Sequence, residues 1–425
     1  MGGFPDGFIV EEVKIKSMKT TIIQWSLLAG FVLCMSAIWT DLRAQTELDE
    51  RAFLEVKDAV SIKKDDDFLL NIRFRMQNRF GFYTKSSSDL TPDNFEARVR
   101  RLRLRFDGYL QSPALQYYIQ LSFSRSDQGL DGSNRISEIV RDALVYYHFN
   151  DNFYMGFGQG KLPGNRQRVI SSGNLQFADR SIVNSTFTID RDFGFFAYYT
   201  LPTAGTSEFR LKAAITTGDG RNAPAINNGL AYTGRLEWLP LGPFTKDGDF
   251  MEGDLFREPT PKISIGLGGS FNHKASKTSG QTGREIASPR DITSLIADFM
   301  FKYNGWALSG EYIDKSVDNP LFDPVPSSFP EHMITGYGIN SQLSYLTHND
   351  LEFSFRYATI NPDSKVSDFE AGRDEILLGT TRYIRGHRIK LQGHIGFYQY
   401  RDIPDALSQT IRDHWVAMFQ VEFGI

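Results

Sequence analysis

Apolar and polar residues alternate with a period of two along most of this chain. In the first clear segment, residues 68–83, one face carries Leu70, Ile72 and Phe74, and the other carries Arg73 and Arg75. Alternation of this kind is typical of β-strands whose two faces meet different surroundings. The pattern therefore predicts strands rather than helices for the chain beyond residue 67.

The same alternation predicts about sixteen strands, an even number of the kind bacterial membrane barrels use. The predicted segments are 68–83, 98–110, 114–125, 143–149, 153–161, 193–200, 209–216, 232–239, 263–271, 293–303, 306–313, 337–345, 351–359, 375–384, 389–399 and 415–423. Several reach the length of roughly 9–11 residues that a tilted strand needs to cross a bilayer. The predicted fold class is all-β, a transmembrane up-and-down antiparallel β-barrel.

The connections between these segments alternate in length. Short turns are predicted at 111–113, 150–152, 304–305, 347–349 and 385–386, and long loops at 85–96, 126–140, 162–192, 218–230, 273–291, 314–334, 360–374 and 401–413. Bacterial barrels combine short periplasmic turns with longer outer loops. The segment 240–261 is the exception, because it is long but falls at a periplasmic position.

A soluble β-sandwich or a β-solenoid would also alternate. Strands in globular proteins average about five or six residues, and no fixed repeat period supports a solenoid. The last segment, 415–423, has an apolar face with aromatic ends, as expected of a closing barrel strand or of an ordinary core strand. Strand length therefore favours the barrel.

The N-terminal region has the features of a secretory signal. Met18-Lys19 precedes an apolar run over 22–38, and Ala44 supplies the small residue at the cleavage position. We predict a mis-called start at 1–17, a signal peptide at 18–44, a short periplasmic segment at 45–67 and a pore domain at 68–425. A retained membrane helix or a lipoprotein signal using Cys34 are the alternatives.

Composition agrees with a strand-rich barrel. The chain holds 34 Phe, 18 Tyr and 37 Gly but a single Cys, which lies inside the predicted signal. The mature protein is therefore predicted to be free of disulfides and to reside in the outer membrane of a Gram-negative cell, in contact with its lipid.

Arginines are concentrated on the polar faces of the first two predicted strands. An arginine facing lipid at mid-bilayer costs about 2–4 kcal/mol, so these faces are predicted to line a water-filled lumen. Arg100 has the opposite parity and is expected near a membrane interface. The predicted pore-lining, anion-guiding residues are Arg73, Arg75, Arg79, Arg101, Arg103 and Arg105.

Fixed cations along a low-dielectric wall concentrate anions and repel cations. The alternative is a structural ladder, in which carboxylates at lumen positions neutralise the arginines across strands. The candidates for that role are Asp107, Asp142, Glu237, Glu311 and Glu352.

The long connection at 162–192 is a candidate constriction loop, or else an ordinary surface loop. Its basic residues, with the lysine that precedes it, are Lys161, Arg166, Arg168, Arg180 and Arg191. If the loop folds inward, these side chains would narrow the channel.

Motifs for enzymatic chemistry are missing from the sequence. It contains no Gly-x-Ser-x-Gly elbow, phosphate-binding loop, His-Glu-x-x-His motif or metal-spaced Cys/His set. The acidic residues Asp247, Asp249, Glu252 and Asp254 suggest either a calcium site or a solvated acidic loop. We predict a protein that is not an enzyme, with no catalytic residues, cofactor or metal.

Four segments resemble the phosphate-selective porin O and P family, in its Bacteroidota branch. They are 97–104 (ARVRRLRL), 158–164 (GQGKLPG), 177–181 (FADRS) with 190–194 (DRDFG), and 234–240 (GRLEWLP). The resemblance implies a sixteen-stranded, usually trimeric, passive channel whose third outer loop folds into the pore. It further implies that Arg101, Arg103 and Arg105 guide anions and that Arg166, Arg168 and Arg180 form the constriction.

The sequence therefore predicts an outer-membrane porin that passes small anionic solutes such as phosphate. Its expected partners are lipid, the barrel-assembly machinery and two further copies of itself, with no nucleic acid. A barrel that acts as a structural scaffold or adhesin through its long outer loops is the alternative, and a barrel hydrolase is a third hypothesis.

Overall fold

The computed structural model describes residues 59–64, 66–127, 138–203, 205–223, 229–322 and 331–425. The predicted start extension, the signal peptide at 18–44 with Cys34, and most of the segment at 45–67 lie outside the described residues.

The described residues form seventeen β-strands joined by turns, loops and two short helices. The strands are β1 (Val60–Lys64), β2 (Phe68–Thr84), β3 (Pro92–Leu110), β4 (Ser112–Ser122), β5 (Val140–His148), β6 (Phe153–Lys161), β7 (Arg191–Pro202), β8 (Glu208–Thr216), β9 (Ala231–Leu239), β10 (Lys262–Lys277), β11 (Glu285–Tyr303), β12 (Trp306–Val317), β13 (Gly336–Leu346), β14 (Leu351–Pro362), β15 (Gly372–Arg385), β16 (Ile389–Arg401) and β17 (His414–Gly424). The α-helices are α1 (Arg166–Val169) and α2 (Ile182–Phe187), and 3-10 turns lie at Arg125–Asp127, Thr245–Phe250, Ser364–Val366 and Asp405–Leu407.

Strands β2 to β17 pair with their sequence neighbours, always antiparallel, and β17 closes the sheet on β2. The result is a closed barrel of sixteen strands, which confirms the predicted fold class. Each of the sixteen predicted segments corresponds to one of these strands. No helix in the described ranges is long and apolar enough to cross a membrane.

Strand β1 continues the line of β17 at the seam of the barrel. It pairs with the start of β2, from Val60 opposite Ile72 to Lys64 opposite Phe68, whereas β17 pairs with the rest of β2. The paired strands therefore begin at Val60, eight residues before the predicted start of the pore domain at residue 68. A five-residue strand with lysines at its end has too little alternation to be recognised in the sequence.

The two faces of the barrel wall differ as the alternation predicts. Along β9, Thr233, Arg235 and Glu237 point inward and are buried, whereas Leu236 and Trp238 point outward and are 38% and 40% exposed. An apolar outer face and a polar lumen are what a membrane barrel requires.

Strands β10 and β11 are longer than predicted. They reach Lys277 and start at Glu285, so most of the predicted outer loop at 273–291 is an extended hairpin. The sequence pattern failed here because residues beyond the membrane need no apolar outward face, and the alternation disappears.

Buried apolar side chains lie between the lumen wall and the connection that follows β6. Leu162, Val183, Phe187 and Ile189 pack against wall residues of β7, β8, β11, β12 and β14. The barrel interior is thus partly filled by its own chain, which determines where solute could pass.

A glycine on the lumen side of β15 makes room for this packing. A Cβ at Gly379 would lie 2.6 Å from Cε1 of Phe177, which belongs to the connection after β6. We expect Gly379→Ala to destabilise the barrel by about 1–3 kcal/mol, the usual cost of overpacking. Urea unfolding in lipid vesicles would measure it.

Gly269→Ala is the matched control, since its Cβ would meet the nearest atom at an ordinary 3.6 Å. Equal unfolding free energies for the two variants would show that Phe177 is not held against β15.

Candidate functional site

The connection between β6 and β7, residues 162–190, crosses the lumen and is called the inward loop below. On the far wall, Arg166 donates to Asp298 at 2.6 Å and to Ser264 at 2.7 Å. The backbone N–H of Gln167 donates to Glu311 at 3.0 Å. The alternative of an ordinary surface loop is therefore wrong, because these residues reach wall strands on the opposite side of the barrel.

The inward loop is also fixed to strands β14 to β17. Lys390 donates to the carbonyl oxygens of Gly173 and Leu175 at 2.9 and 2.7 Å. Arg356 donates to the carbonyl of Asp179 at 3.0 Å and lies 4.4 Å over the ring of Phe177. Attachment to both sides keeps the loop across the lumen.

A second segment, residues 240–261, enters the lumen from the turn end and is called the inward turn. Lys302 on β11 donates to the carbonyl oxygens of Gly248 and Met251 at 2.7 and 3.0 Å. Glu252 accepts from the backbone N–H of Gln176 at 2.8 Å. This contact with the inward loop explains the one long connection at a periplasmic position.

The acidic residues of the inward turn are not a solvated cluster. Asp249, Glu252 and Asp254 are buried. Asp249 forms an ion pair with Arg210 at 2.6 Å, and Asp254 accepts from the N–H of Gly305 at 2.8 Å. The prediction of a solvated loop is wrong, and the described residues hold no cluster with metal-ligating composition.

One large cavity, of about 750 Å³, remains open between the inward loop and the wall formed by the first strands. Its lining is strongly cationic, since within the described ranges only Asp127, Asp190 and Glu422 contribute carboxylates. The cations that line it are Arg73, Arg75, Arg100, Arg101, Arg103, Arg105, Arg141, Lys161, Arg168, Arg180, Arg191, Arg221 and Arg388.

Two of the predicted residues lie outside this cavity. Arg79 is buried behind the inward loop, where it forms ion pairs with Glu96 at 3.2 Å and with Asp179. Arg166 is on the far side, bound to Asp298. The other predicted arginines and Lys161 line the cavity. Arg79 and Arg166 instead hold the inward loop through their ion pairs.

Two arginines that line the cavity, Arg100 and Arg141, lie at β-bulges, so the alternation along the strands does not predict their position. In β3, Arg101 pairs with Gln77 and Val99 pairs with Asn78, which leaves Arg100 as the extra residue. In β5, Arg141 is skipped between the partners of Gln120 and Leu121. A bulge resets the alternation, so the prediction that Arg100 lies near an interface is wrong.

The predicted carboxylate ladder is present only in part. Asp107 forms ion pairs with Arg73 and, at 2.8 Å, with Arg105, and Asp142 pairs with Arg191 at 2.8 Å. Of the other candidates, Glu237 pairs with Lys212 and Arg235, and Glu311 and Glu352 accept from amide groups of the inward loop.

Three arginines of β3, Arg100, Arg101 and Arg103, pair with carboxylates that lie outside the strands. Arg103 pairs with Asp127 at 2.6 Å. Arg100 and Arg101 both approach Asp179, at 3.3 and 3.6 Å. These acids follow strand ends or lie in the inward loop, so no cross-strand pattern in the sequence indicates them.

The cationic side chains of Lys161 and Arg180 are held by hydrogen bonds to backbone carbonyl oxygens. Lys161 donates to the carbonyl of Val169 at 2.9 Å, and Arg180 donates to those of Gln167 and Ile170 at 2.6 and 2.7 Å. In the described part of the chain neither forms an ion pair. Burial and the neighbouring Arg168 and Arg103 depress the pKa of Arg180, which reflects the crowding of positive charge around it.

Asp127 and Asp190, which line the cavity, stay ionised in mild acid. Burial raises the pKa of Asp127 and of Asp190, but Arg103 and Arg141 around the first and Arg168 and Arg191 around the second outweigh burial. Both pKa values therefore lie below the ordinary carboxyl value of 3.8.

A depressed carboxyl pKa in the folded state gives stability that is present above the ordinary value and lost as pH falls through the folded one. Because neither carboxyl takes up a proton between about pH 8 and pH 5, we expect their contribution to stability and to anion preference to stay unchanged over this range. Reversal potentials recorded at both pH values would check it. A marked change over this range would mean that a different group titrates in the path.

The sequence profile of a family described as phosphate-selective porin O and P matches residues 70–320, more than half of the chain. No curated protein matches the sequence significantly.

Two solved porins share the fold at low sequence identity. OmpF of Salmonella typhi, solved in complex with daunomycin, superposes with a TM-score of 0.53 and 13% identity, over 86% of this chain and 100% of that one. An anion-selective porin from Comamonas acidovorans superposes with a TM-score of 0.51 and 12% identity, over 84% and 99% of the two chains.

Proposed function

Because this chain belongs to the phosphate-selective porin O and P family, whose members are outer-membrane channels and not enzymes, we propose that it passes small anions. The observation that carries the proposal is the cationic cavity beside the inward loop. Twelve arginines and one lysine line it among the described residues, against three carboxylates. When the carboxylates that pair with these cations from behind the lining are also counted, the cations still outnumber the carboxylates.

The physical basis is electrostatic focusing by a narrow, low-dielectric wall. Fixed cations raise the local concentration of anions and lower that of cations. The inward loop strengthens this attraction of anions because it confines the solute to the space beside the arginine-bearing strands. Lys161 and Arg180, which are held by carbonyl oxygens, keep their attraction for a passing anion.

Within this class, we propose that solutes bearing a phosphate group, inorganic phosphate among them, pass through the cavity. Guanidinium groups bind oxyanions through two parallel hydrogen bonds, and Arg103, Arg168 and Arg180 lie around one cavity. Exchange among such groups would allow a phosphate to pass without being trapped in one strong site.

Planar-bilayer recording of the purified protein tests the proposal. In a potassium chloride gradient, the reversal potential should show chloride passing in preference to potassium. A channel that prefers potassium, or one that does not conduct, would overturn it. Partial block of the chloride current by added phosphate is the expected second result.

We also propose the partners that the sequence suggests. The apolar outer face suits outer-membrane lipid, and the family resemblance implies assembly as a homotrimer by the barrel-assembly machinery after removal of the signal peptide. Chemical cross-linking in outer-membrane preparations would give a ladder ending at three copies, and a ladder ending elsewhere would refute the trimer.

A further inference from the structure

A second, smaller cavity of about 260 Å³ adjoins the cationic one and has a different character. The two share Tyr118, Lys161, Val169 and Phe250 in their linings, so they are parts of one space. The smaller cavity is also lined by Tyr146, Tyr154 and Tyr198, with Lys212 and Asp142 at its edge. We call Tyr118, Tyr146, Tyr154, Tyr198 and Phe250 the aromatic patch.

The rings of the aromatic patch pack against one another and form one apolar surface. Tyr154 lies between Tyr198, with ring centroids 4.6 Å apart and planes at 12°, and His148, with ring centroids also 4.6 Å apart, so both faces of Tyr154 are covered. Tyr146 meets Tyr154 edge-on at 5.9 Å. Because His148 precedes the short turn to β6, this surface extends from the cavity toward the turn end of the barrel.

The aromatic patch is unusual for its place in the barrel. On the same strands, Tyr147 and Tyr199 face lipid with 50% and 39% exposure. The rings of Tyr146, Tyr154 and Tyr198 point into the lumen, where they are half-buried. Inorganic phosphate can accept hydrogen bonds from their hydroxyl groups but has no apolar surface to cover the rings, so an arginine path alone does not explain their position.

Cations stand at the border between the two cavities. The guanidinium carbon of Arg105 lies 4.5 Å from the ring centre of Tyr118, and Nζ of Lys212 lies 4.9 Å from that of Phe250. A solute whose anionic group contacts Lys161 or the arginines would therefore bring a neighbouring ring against the aromatic side chains that line the smaller cavity. Small-molecule sites commonly combine such a flat apolar wall with a few placed charges.

We propose that the preferred solute of this channel is an organic anion with a ring attached to its phosphate or carboxylate group. The cationic cavity binds the anionic group, and the aromatic patch binds the ring through edge-to-face contacts. This inference rests on the proposed anion channel and names its substrate class. It assigns to the tyrosines a role in binding the ring that the arginines do not fill.

Block of the chloride current by paired probes tests the inference. Phenyl phosphate and methyl phosphate carry the same charged group, and only the first has a ring. We expect phenyl phosphate to block at a concentration about two- to tenfold lower than methyl phosphate does, which is the range that one aromatic contact contributes to binding. Glucose 6-phosphate, which offers a sugar ring, would show whether the ring must be aromatic.

Variants of the lumen tyrosines test whether these side chains cause the preference for phenyl phosphate. Tyr154→Ala with Tyr198→Ala should bring the phenyl-to-methyl ratio of blocking concentrations close to one, and phenylalanine at both positions should preserve the preference. The lipid-facing pair Tyr147→Ala with Tyr199→Ala is the matched control and should keep the ratio of the unaltered channel.

Equal block by phenyl, methyl and glucose phosphates in the unaltered channel would overturn the inference. So would a ratio that survives loss of both lumen tyrosines but falls in the control pair. Failure of the proposed function itself is distinguishable, because it appears as a preference for potassium in the absence of any probe.

Discussion

Replacing Lys161 and Arg180 together with glutamine is expected to lower the local concentration of chloride beside the inward loop by roughly tenfold, and so to reduce the preference for chloride over potassium. In water, one unit charge about 6 Å from a passing ion contributes ~0.7 kcal/mol, or about threefold in its local concentration. These two side chains are chosen because they donate to backbone carbonyls, so their removal leaves no carboxylate without its partner. The reversal potential in a potassium chloride gradient measures the effect.

Arg284→Gln is the control for total charge. Arg284 is exposed in the loop between β10 and β11, away from the cavity lining, and its replacement should leave the reversal potential where it was. If the double variant kept the preference of the unaltered channel, anions would have to pass by a route that the inward loop does not border.

Replacing Asp298 with alanine is expected to destabilise the barrel by about 3–5 kcal/mol, the usual cost of removing one partner of a buried ion pair. The Asp298 carboxylate is fully buried between two guanidinium groups, at 2.6 Å from Arg166 and at 2.6 Å from Arg235. Without it, the first residues of the inward loop lose their strongest contact with the far wall. Conductance should therefore rise and fluctuate as the loop moves.

Asp291→Ala provides the comparison on the same strand. Its side chain is 40% exposed near the outer rim and accepts from His273, so its loss should change stability little. Urea unfolding in vesicles gives the free energies, and single-channel traces give the conductance. An Asp298→Ala channel as stable and as quiet as the Asp291→Ala channel would show that this ion pair does not hold the loop.

Most of the barrel could be predicted because its constraint is local. Every strand must present apolar side chains to lipid and polar ones to water, so residues such as those of β9 reveal their environment through neighbours two positions away. The same rule placed Arg101 and Arg103 in the lumen. It failed for β1, which is too short to alternate, and for the outer parts of β10 and β11, which lie beyond the membrane.

The cavity could not be predicted to the same extent, because non-local contacts build it. The path of the inward loop depends on pairs far apart in sequence, such as Arg166 with Asp298 and Phe177 with Gly379. Bulges at Arg100 and Arg141 add cations against the parity rule. The acids that hold Arg101 and Arg103 come from segments whose position the alternation does not determine.

Crystals soaked in bromide and, separately, in rubidium salts would test the anion path most directly, because anomalous scattering locates each ion. The account predicts bromide in the cavity beside Arg103, Lys161 and Arg180, and no rubidium there. Rubidium bound in that cavity, with bromide confined to the outer surface, would contradict it.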